Sequence, residues 1–398
     1  MTSLVKGVVI VAAKRTPFGR YGGKFVKTSA AELQIVAAKA ALAAGNVKPE
    51  LIDSVIVGNV RLQSSPEGGL IPRHVALKSG IPQDRTAVLI NRLCGSGFQS
   101  IVNAAQEIQT GMSQICLTGG TENMSQCPYI GRNLRFGVPL GQNVVLEDSL
   151  WLGFTDTYAK MPMALTAEKL GAQFKLTKEE VDAFALRSQQ TWKNAHDGGR
   201  FSEELTPVTI EGKKGAVVVD VDEHPRPETT LDGLKKLPTL FKENGLVTAG
   251  SASGISDGAA AVVVANEEAV SRHDLTPLAR VVAFSVVGVD PTIMGIGPVP
   301  AIKNVLKATG KSLDDIDLVE INEAFGAQAL ACVKGLDLDI NKLNVDGGAI
   351  AIGHPVGASG SRIMGHLVHE LRRRKAKLGI GSACIAGGQG IALMVEAL

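Results

Sequence analysis

The stretch VAAKAALAAGNVKPELIDSVIVGN, residues 36–59, can be written over PAIKNVLKATGKSLDDIDLVEINE, residues 300–323, without a gap. The superposition pairs Ala37 with Ala301, Lys39 with Lys303, Leu42 with Leu306, Ala44 with Ala308, Ile52 with Ile316, Asp53 with Asp317 and Val55 with Val319. Each copy has small and apolar residues at helical spacing followed by a short β-branched run, so each reads as a helix leading into a strand. The similarity resumes downstream, where Gly97 to Thr118 covers the same span as Gly360 to Gly381. In each, a Gly/Ser-rich turn opens a helix and a strand follows. The first helix carries Phe98, Ile101, Val102, Ala105 and Ile108 on one face, the second Ile363, Met364, Leu367, Val368 and Leu371. A duplicated, layered α/β fold is expected, its two halves related by a pseudo-twofold axis and each built on a mixed sheet with crossover helices.

Residues 122 to 250 break the pattern, being more polar, punctuated by PRPETT and KKLP, and containing an amphipathic stretch from Lys178 to Ala195. The expected organisation is a first half of residues 1–121 plus 251–276, an inserted loop domain of 122–250, and a second half of 277–398. A chain of 398 residues that is 45% apolar has the size and the core-forming material for several packed units.

The charges nearly cancel, 41 basic against 39 acidic, which leaves no field of the kind nucleic-acid binders use. No apolar run reaches the roughly 18 to 20 residues that span a bilayer. The cysteines, Cys94, Cys116, Cys127, Cys332 and Cys384, are odd in number and never in CxxC pairs, which argues against a disulfide framework and a zinc site. Neither HExxH nor any clustered histidine spacing occurs, so no metal is expected. Before the first acidic residue, Glu32, lie Lys6, Lys14, Arg15, Arg20, Lys24 and Lys27, a bias like that of an organelle-targeting segment. Gly7 to Ala13 nevertheless reads as a buried strand, so any such signal would remain uncleaved.

Cys94, in NRLCGSGFQSI, directly precedes a helix start, where free N–H groups and the helix dipole stabilise a thiolate; a lowered thiol pKa is expected. His354, in GGAIAIGHPVGASGSRI, occupies the matching turn of the second half, so the repeat places both at one site. Cys384, in GSACIAGGQG, sits at a strand end before a glycine turn; it reads as a redox partner, a bystander or, if it converges on Cys94, an acid/base. Asn322, in EINEAFGAQ, closes the strand that the repeat matches to the one ending near Asn59. Cys116 reads as core, while Cys127 and Cys332 lack a basic neighbour in sequence that would make them reactive.

NRLCGSGFQS, NEAFGAQ, GGAIAIGHPVGASGSR and GSACIAGGQG together resemble, in order and spacing, the signature segments of the thiolases. VAAKRTPFG, LEDSLW, HPRPETT and IMGIGPVPAI look like the branch that serves mitochondrial fatty-acid β-oxidation, and the resemblance covers essentially the whole chain. It implies reversible thiolysis of 3-ketoacyl-CoA by coenzyme A, with ping-pong kinetics through a cysteine thioester. Cys94 would be the nucleophile, His354 its activator and Cys384 the general acid and base. Asn322 would hold a water that forms one oxyanion hole with His354, and the N–H groups of Cys94 and Ala386 would form the other. Arg226, Thr229 and Ser253 match coenzyme A contacts.

The resemblance also implies no tightly bound cofactor, a homodimer or homotetramer, and a mitochondrial matrix location. The family usually has Cys-Ile-Gly-Gly-Gly where this chain has Ala386 in the third position; Ala serves if its φ is negative, while a positive φ would cost roughly 1 kcal/mol or more. Other readings are an acetoacetyl-CoA-specific thiolase, a β-ketoacyl synthase, which lacks the second thiol, and a thiolase-like CoA or lipid carrier without catalysis.

Overall fold

The computed structural model describes residues 1–213 and 215–398. The first half is a sheet of five strands, β1 (Val8–Arg15), β2 (Ser54–Gly58), β3 (Thr86–Ile90), β4 (Ile115–Asn123) and β5 (Ser256–Asn266), in the order β3-β2-β4-β5-β1. Its main helices are α1 (Ala30–Ala44) and α2 (Ser96–Gln109). Between β4 and β5 runs a long excursion that contains the helix α3 (Lys178–Asp197), opened by a Thr177/Glu180 capping box. The second half has β6 (Ala279–Gly288), β7 (Leu318–Ile321), β8 (Leu378–Ile385) and β9 (Gln389–Ala397), ordered β7-β8-β9-β6, with helices α4 (Pro298–Thr309) and α5 (Ser359–Arg374).

The repeat read from the sequence is a repeat of topology. β2 pairs parallel to β4 as β7 does to β8, and β5 runs antiparallel to β4 and β1 as β9 does to β8 and β6. The counterpart of edge strand β3 is reduced to the bridge between Val319 and Leu343. Even the aligned aspartates do the same job: Asp53 Oδ2 accepts the N–H groups of Gln114 and Ile115, and Asp317 Oδ2 those of Lys377 and Leu378. Each carboxylate clips its first strand to the start of the next.

Strand β5 shows why the layers stack. Its Ala261 and Val263 pack with α1 on the outer face, and Val262 and Val264 pack on the inner face with α2 and α5. A strand buried on both sides is apolar at every position, which fits DGAAAVVVA. Helices α2 and α5 form the middle layer and meet at their N-terminal ends, where glycine is required on both sides. A Cβ on Gly97 would lie 2.4 Å from the Ser361 nitrogen, and one on Gly360 would lie 2.3 Å from that of Phe98. Phe98 is fully buried in this layer, and Phe98→Ala would cost about 3–5 kcal/mol. No helix among the described residues is long and apolar enough to cross a membrane.

Candidate active site

The close crossing of α2 and α5 sets the turns that precede them side by side. In the first, Leu93 takes a left-handed φ of 47°, a strained conformation for a residue with a Cβ. Asn91 Oδ1 accepts its N–H, and Ser96 Oγ donates to its carbonyl, so hydrogen bonds on both sides hold the kink that presents Cys94. In the second turn the N–H of His354 donates to the Gly254 carbonyl at 2.9 Å. Cys94 and His354 line one cavity of about 210 Å³ with Met294, Ala324, Phe325 and Ala386, and no hydrogen bond joins the cysteine to the histidine.

The histidine is held at both nitrogens. Ser359 Oγ lies 2.6 Å from Nδ1 and donates to the Pro355 carbonyl at 3.1 Å, so its lone pair is free to accept Nδ1–H. Asn322 Nδ2 then donates to Nε2 at 3.3 Å, while Asn322 Oδ1 is buried without a protein partner. This chain assigns the proton to Nδ1 and leaves Nε2 as a base. Burial, with Arg362 nearby, lowers the His354 pKa to about 4, so the ring is neutral at pH 7.

The lowered thiol pKa expected for Cys94 is not what the structure gives. Burial in an apolar cavity pushes it up to about 11, against the backbone N–H groups of Ala386 and Cys94 itself, which favour the thiolate, and against Arg61. Desolvation outweighs the helix start because the sulfur is almost cut off from water. The resting pair is therefore a neutral thiol beside a neutral imidazole, and proton transfer has to accompany attack on the substrate.

Ala386 is absent from the positive-φ residues, whereas Gly387 and Gly388 have φ of 76° and 80°. The departure from three glycines thus falls at the position that tolerates a side chain, with its N–H aimed at Cys94. Cys384, two residues earlier on β8, is fully buried behind the cavity wall, and burial together with the charge of a Cys94 thiolate pushes its pKa well up. Ser253 lines the cavity, but Arg226 and Thr229 do not; they form a turn in which Thr229 Oγ1 donates to the Arg226 carbonyl. That turn approaches the rim through His224, which packs against Gly254.

Cys116 and Cys332 are core residues. Cys127, read from the sequence as lacking a basic neighbour, has the Arg61 guanidinium near it; burial nevertheless dominates and pushes its pKa up to about 12. Sequence reasoning missed Glu122. Its carboxylate accepts from Asn59 Nδ2 and from the N–H groups of Val60, Arg61 and Gly357, tying the cavity rim of the first half to the His354 turn of the second. An acidic residue closing an otherwise apolar strand was the available signal. Ser359 and Arg61 gave none.

Residues 8–268 match the family described as the thiolase N-terminal domain, and residues 275–397 the thiolase C-terminal domain. The chain is 58% identical over 394 residues to the mitochondrial 3-ketoacyl-CoA thiolase of Homo sapiens, covering 99% of each. It is 43% identical to an acetyl-CoA acetyltransferase of Syntrophomonas wolfei, covering 99% of this chain and 100% of that protein. The crystal structure of the human mitochondrial 3-ketoacyl-CoA thiolase in complex with CoA superposes with a TM-score of 0.96 at 58% identity, over 99% of both chains.

Proposed function

This chain belongs to the thiolase family, and from that premise we propose how its site cleaves a 3-ketoacyl-CoA with coenzyme A into acetyl-CoA and a shortened acyl-CoA. The reading rests above all on one arrangement: the Cys94 thiol shares an apolar cavity with Ala386 and with a neutral His354 imidazole.

Cys94 attacks the β-carbonyl as its proton passes to His354 Nε2. The N–H groups of Cys94 and Ala386 hold the new oxyanion, and protonated Nε2–H, together with a water held by Asn322 Oδ1, donates to the thioester oxygen of the departing enolate. Cleavage of the carbon–carbon bond releases the acetyl-CoA enolate, which takes a proton from Cys384. Protonation of carbon is slow without a placed acid, which is the part Cys384 takes. The acyl group stays on Cys94, and incoming coenzyme A gives its proton to the Cys384 thiolate and attacks the thioester; the expelled Cys94 thiolate takes back the proton held at His354 Nε2. The N–H groups of Cys94 and Ala386 hold the thioester oxyanion in this half of the reaction. Coenzyme A lies along Ser253 and the Arg226–Thr229 turn.

Spectrophotometric thiolysis of acetoacetyl-CoA tests the reaction, and a chain-length series of kcat/KM separates a broad 3-ketoacyl-CoA thiolase from an acetoacetyl-CoA-specific one. Cys94→Ala abolishes thiolysis and condensation alike; a ping-pong pattern surviving in that variant would remove Cys94 from its role. A folded wild-type protein that binds coenzyme A and turns over no 3-ketoacyl-CoA would favour the carrier reading.

The same premise extends to assembly and location. Edge strand β3 presents Val88 to solvent, and Phe136, Leu140 and Val145 of the excursion are exposed, which supports a homodimer or homotetramer made with further copies of this chain. The mitochondrial relatives support a matrix location. The basic N-terminal segment is retained in this reading, since Thr2–Leu4 pairs with β6 and β1 pairs on one side with β5 and on the other with β6.

A further inference from the structure

The cavity at Cys94 is mostly apolar and carries one permanently charged side chain. Arg61 is the only Arg, Lys, Asp or Glu among its described lining residues. It belongs to the loop after β2, and its backbone N–H donates to Glu122 at 2.9 Å. Its side chain has no hydrogen bond or carboxylate pair among the described residues, and its Nε is buried without a partner. The guanidinium lies 5.4 Å from the centre of the Phe154 ring. Gly153 makes the room for it: a Cβ there would fall 1.6 Å from Arg61 Nη1, although a φ of −71° would suit any residue. A glycine and an aromatic face thus form a slot around a cation for which no side chain supplies the counter-charge.

A half-buried guanidinium set against an apolar wall is a binding point for an anion that enters the cavity. Glu122, which lies near enough to feel the guanidinium, does not serve, because it is occupied by its own N–H donors and burial pushes its pKa up to about 7. The acyl chain attached at Cys94 extends into this cavity, which coenzyme A reaches along its Ser253 wall. We propose that the enzyme accepts 3-ketoacyl-CoA substrates whose acyl chain ends in a carboxylate, and that Arg61 receives that carboxylate. The proposal rests on the thiolase reading above. Coenzyme A also carries anions, in its phosphates, so the test has to tell the two sources apart.

The experiment compares kcat/KM for 3-oxoadipyl-CoA and 3-oxohexanoyl-CoA, which differ by the terminal carboxylate, in wild type, Arg61→Met and Arg61→Lys, with the KM for coenzyme A measured alongside. The ratio of the first substrate to the second is expected to fall roughly 10- to 100-fold in Arg61→Met, the weight of one charge-assisted hydrogen bond. Arg61→Lys keeps part of it, and added salt lowers the wild-type ratio. An unchanged ratio in Arg61→Met overturns the proposal, as does a rise in the KM for coenzyme A that is equal with both substrates and leaves the ratio alone, which would give the guanidinium to the phosphates.

Wild type that cleaves 3-oxohexanoyl-CoA but not 3-oxoadipyl-CoA overturns it while the thiolase reading stands; cleavage of neither sinks both. Should Arg61→Met fail to fold, the wild-type preference between 3-oxoadipyl-CoA and its terminal methyl ester reads the same charge without a substitution. Preference for the acid supports the proposal, and preference for the ester overturns it.

Discussion

Two buried clusters sit along helix α5 and treat histidine in opposite ways. At its N-terminal turn His354 faces the cavity, where burial and Arg362 bring its pKa down to about 4. Further along the helix His366 is just as buried, and there burial alone would also lower the pKa, yet Glu204, Glu320 and Asp346 raise it to about 9. The second cluster is built around ion pairs, although burial pushes the carboxyl of Glu320 up to about 7. Arg15 of β1 reaches Glu204 at 2.7 Å and Asp222 at 2.7 and 3.0 Å, and His366 Nδ1 reaches the other oxygen of Glu204 at 2.7 Å. The carboxyl of Glu204, which burial would push up, is held well below the usual carboxylate range by His366 and Arg15. Equal burial leaves one histidine neutral beside a substrate cavity and the other charged among carboxylates. What decides is the partner, not the depth.

The largest effect that could break this comparison concerns the two neutral thiols. If Cys384 is the acid and base, Cys384→Ala loses exchange of the acetyl-CoA methyl protons with D₂O, yet still forms some acetyl-Cys94, because a thiolate leaving group needs little acid help while a carbon acid needs a placed base. Peptide mass spectrometry reads the label. Undiminished exchange in the variant, or label on Cys384 in wild type, would reverse the two assignments.

Next in size, His354→Asn removes the base from a thiol whose pKa is about 11. Alkylation of Cys94 by iodoacetamide near neutral pH should slow by roughly 100-fold, the scale of general-base assistance, with coenzyme A binding retained. A rate equal to wild type would take His354 out of its role.

In the ionic cluster, Glu204→Gln leaves Arg15 and His366 buried without their shared carboxylate and should destabilise the fold by about 3–5 kcal/mol. Urea denaturation measures this, and a loss under about 1 kcal/mol would mean the cluster holds little of the fold.

The smallest effect sharpens the contrast through pH. His366 has a folded pKa above its unfolded value of about 6.5, so its contribution is fully present below that pH and is lost as the pH rises through about 9. His354 has a folded pKa below the unfolded value, so its contribution is present above about 6.5 and is lost as the pH falls through about 4. Each limb should be worth on the order of 3 kcal/mol. His366→Gln should flatten the alkaline limb of stability against pH, and His354→Asn the acid limb. Identical profiles for the two variants would show that the histidines do not differ in this way.

The duplication, the two helix-opening turns and the cysteine and histidine placed on them were legible in the chain alone. Helical spacing, β-branched runs and glycine turns are local patterns, and a gapless repeat carries them from one half to the other. The repeat even matched Asp53 with Asp317, which prove to make equivalent strand clips. Ionisation was not legible, and the pKa expected for Cys94 went the wrong way. A helix start can be read in sequence, but the depth at which it is buried cannot. Glu122 grips Gly357 from 235 positions away, and Arg61 meets Phe154 only because the excursion folds back over the first half. Desolvation and Coulomb interactions depend on distances between such remote segments, so the chain determined which groups are present and where its helices begin. The tertiary structure alone decided which of those groups are charged, and which are left facing the cavity.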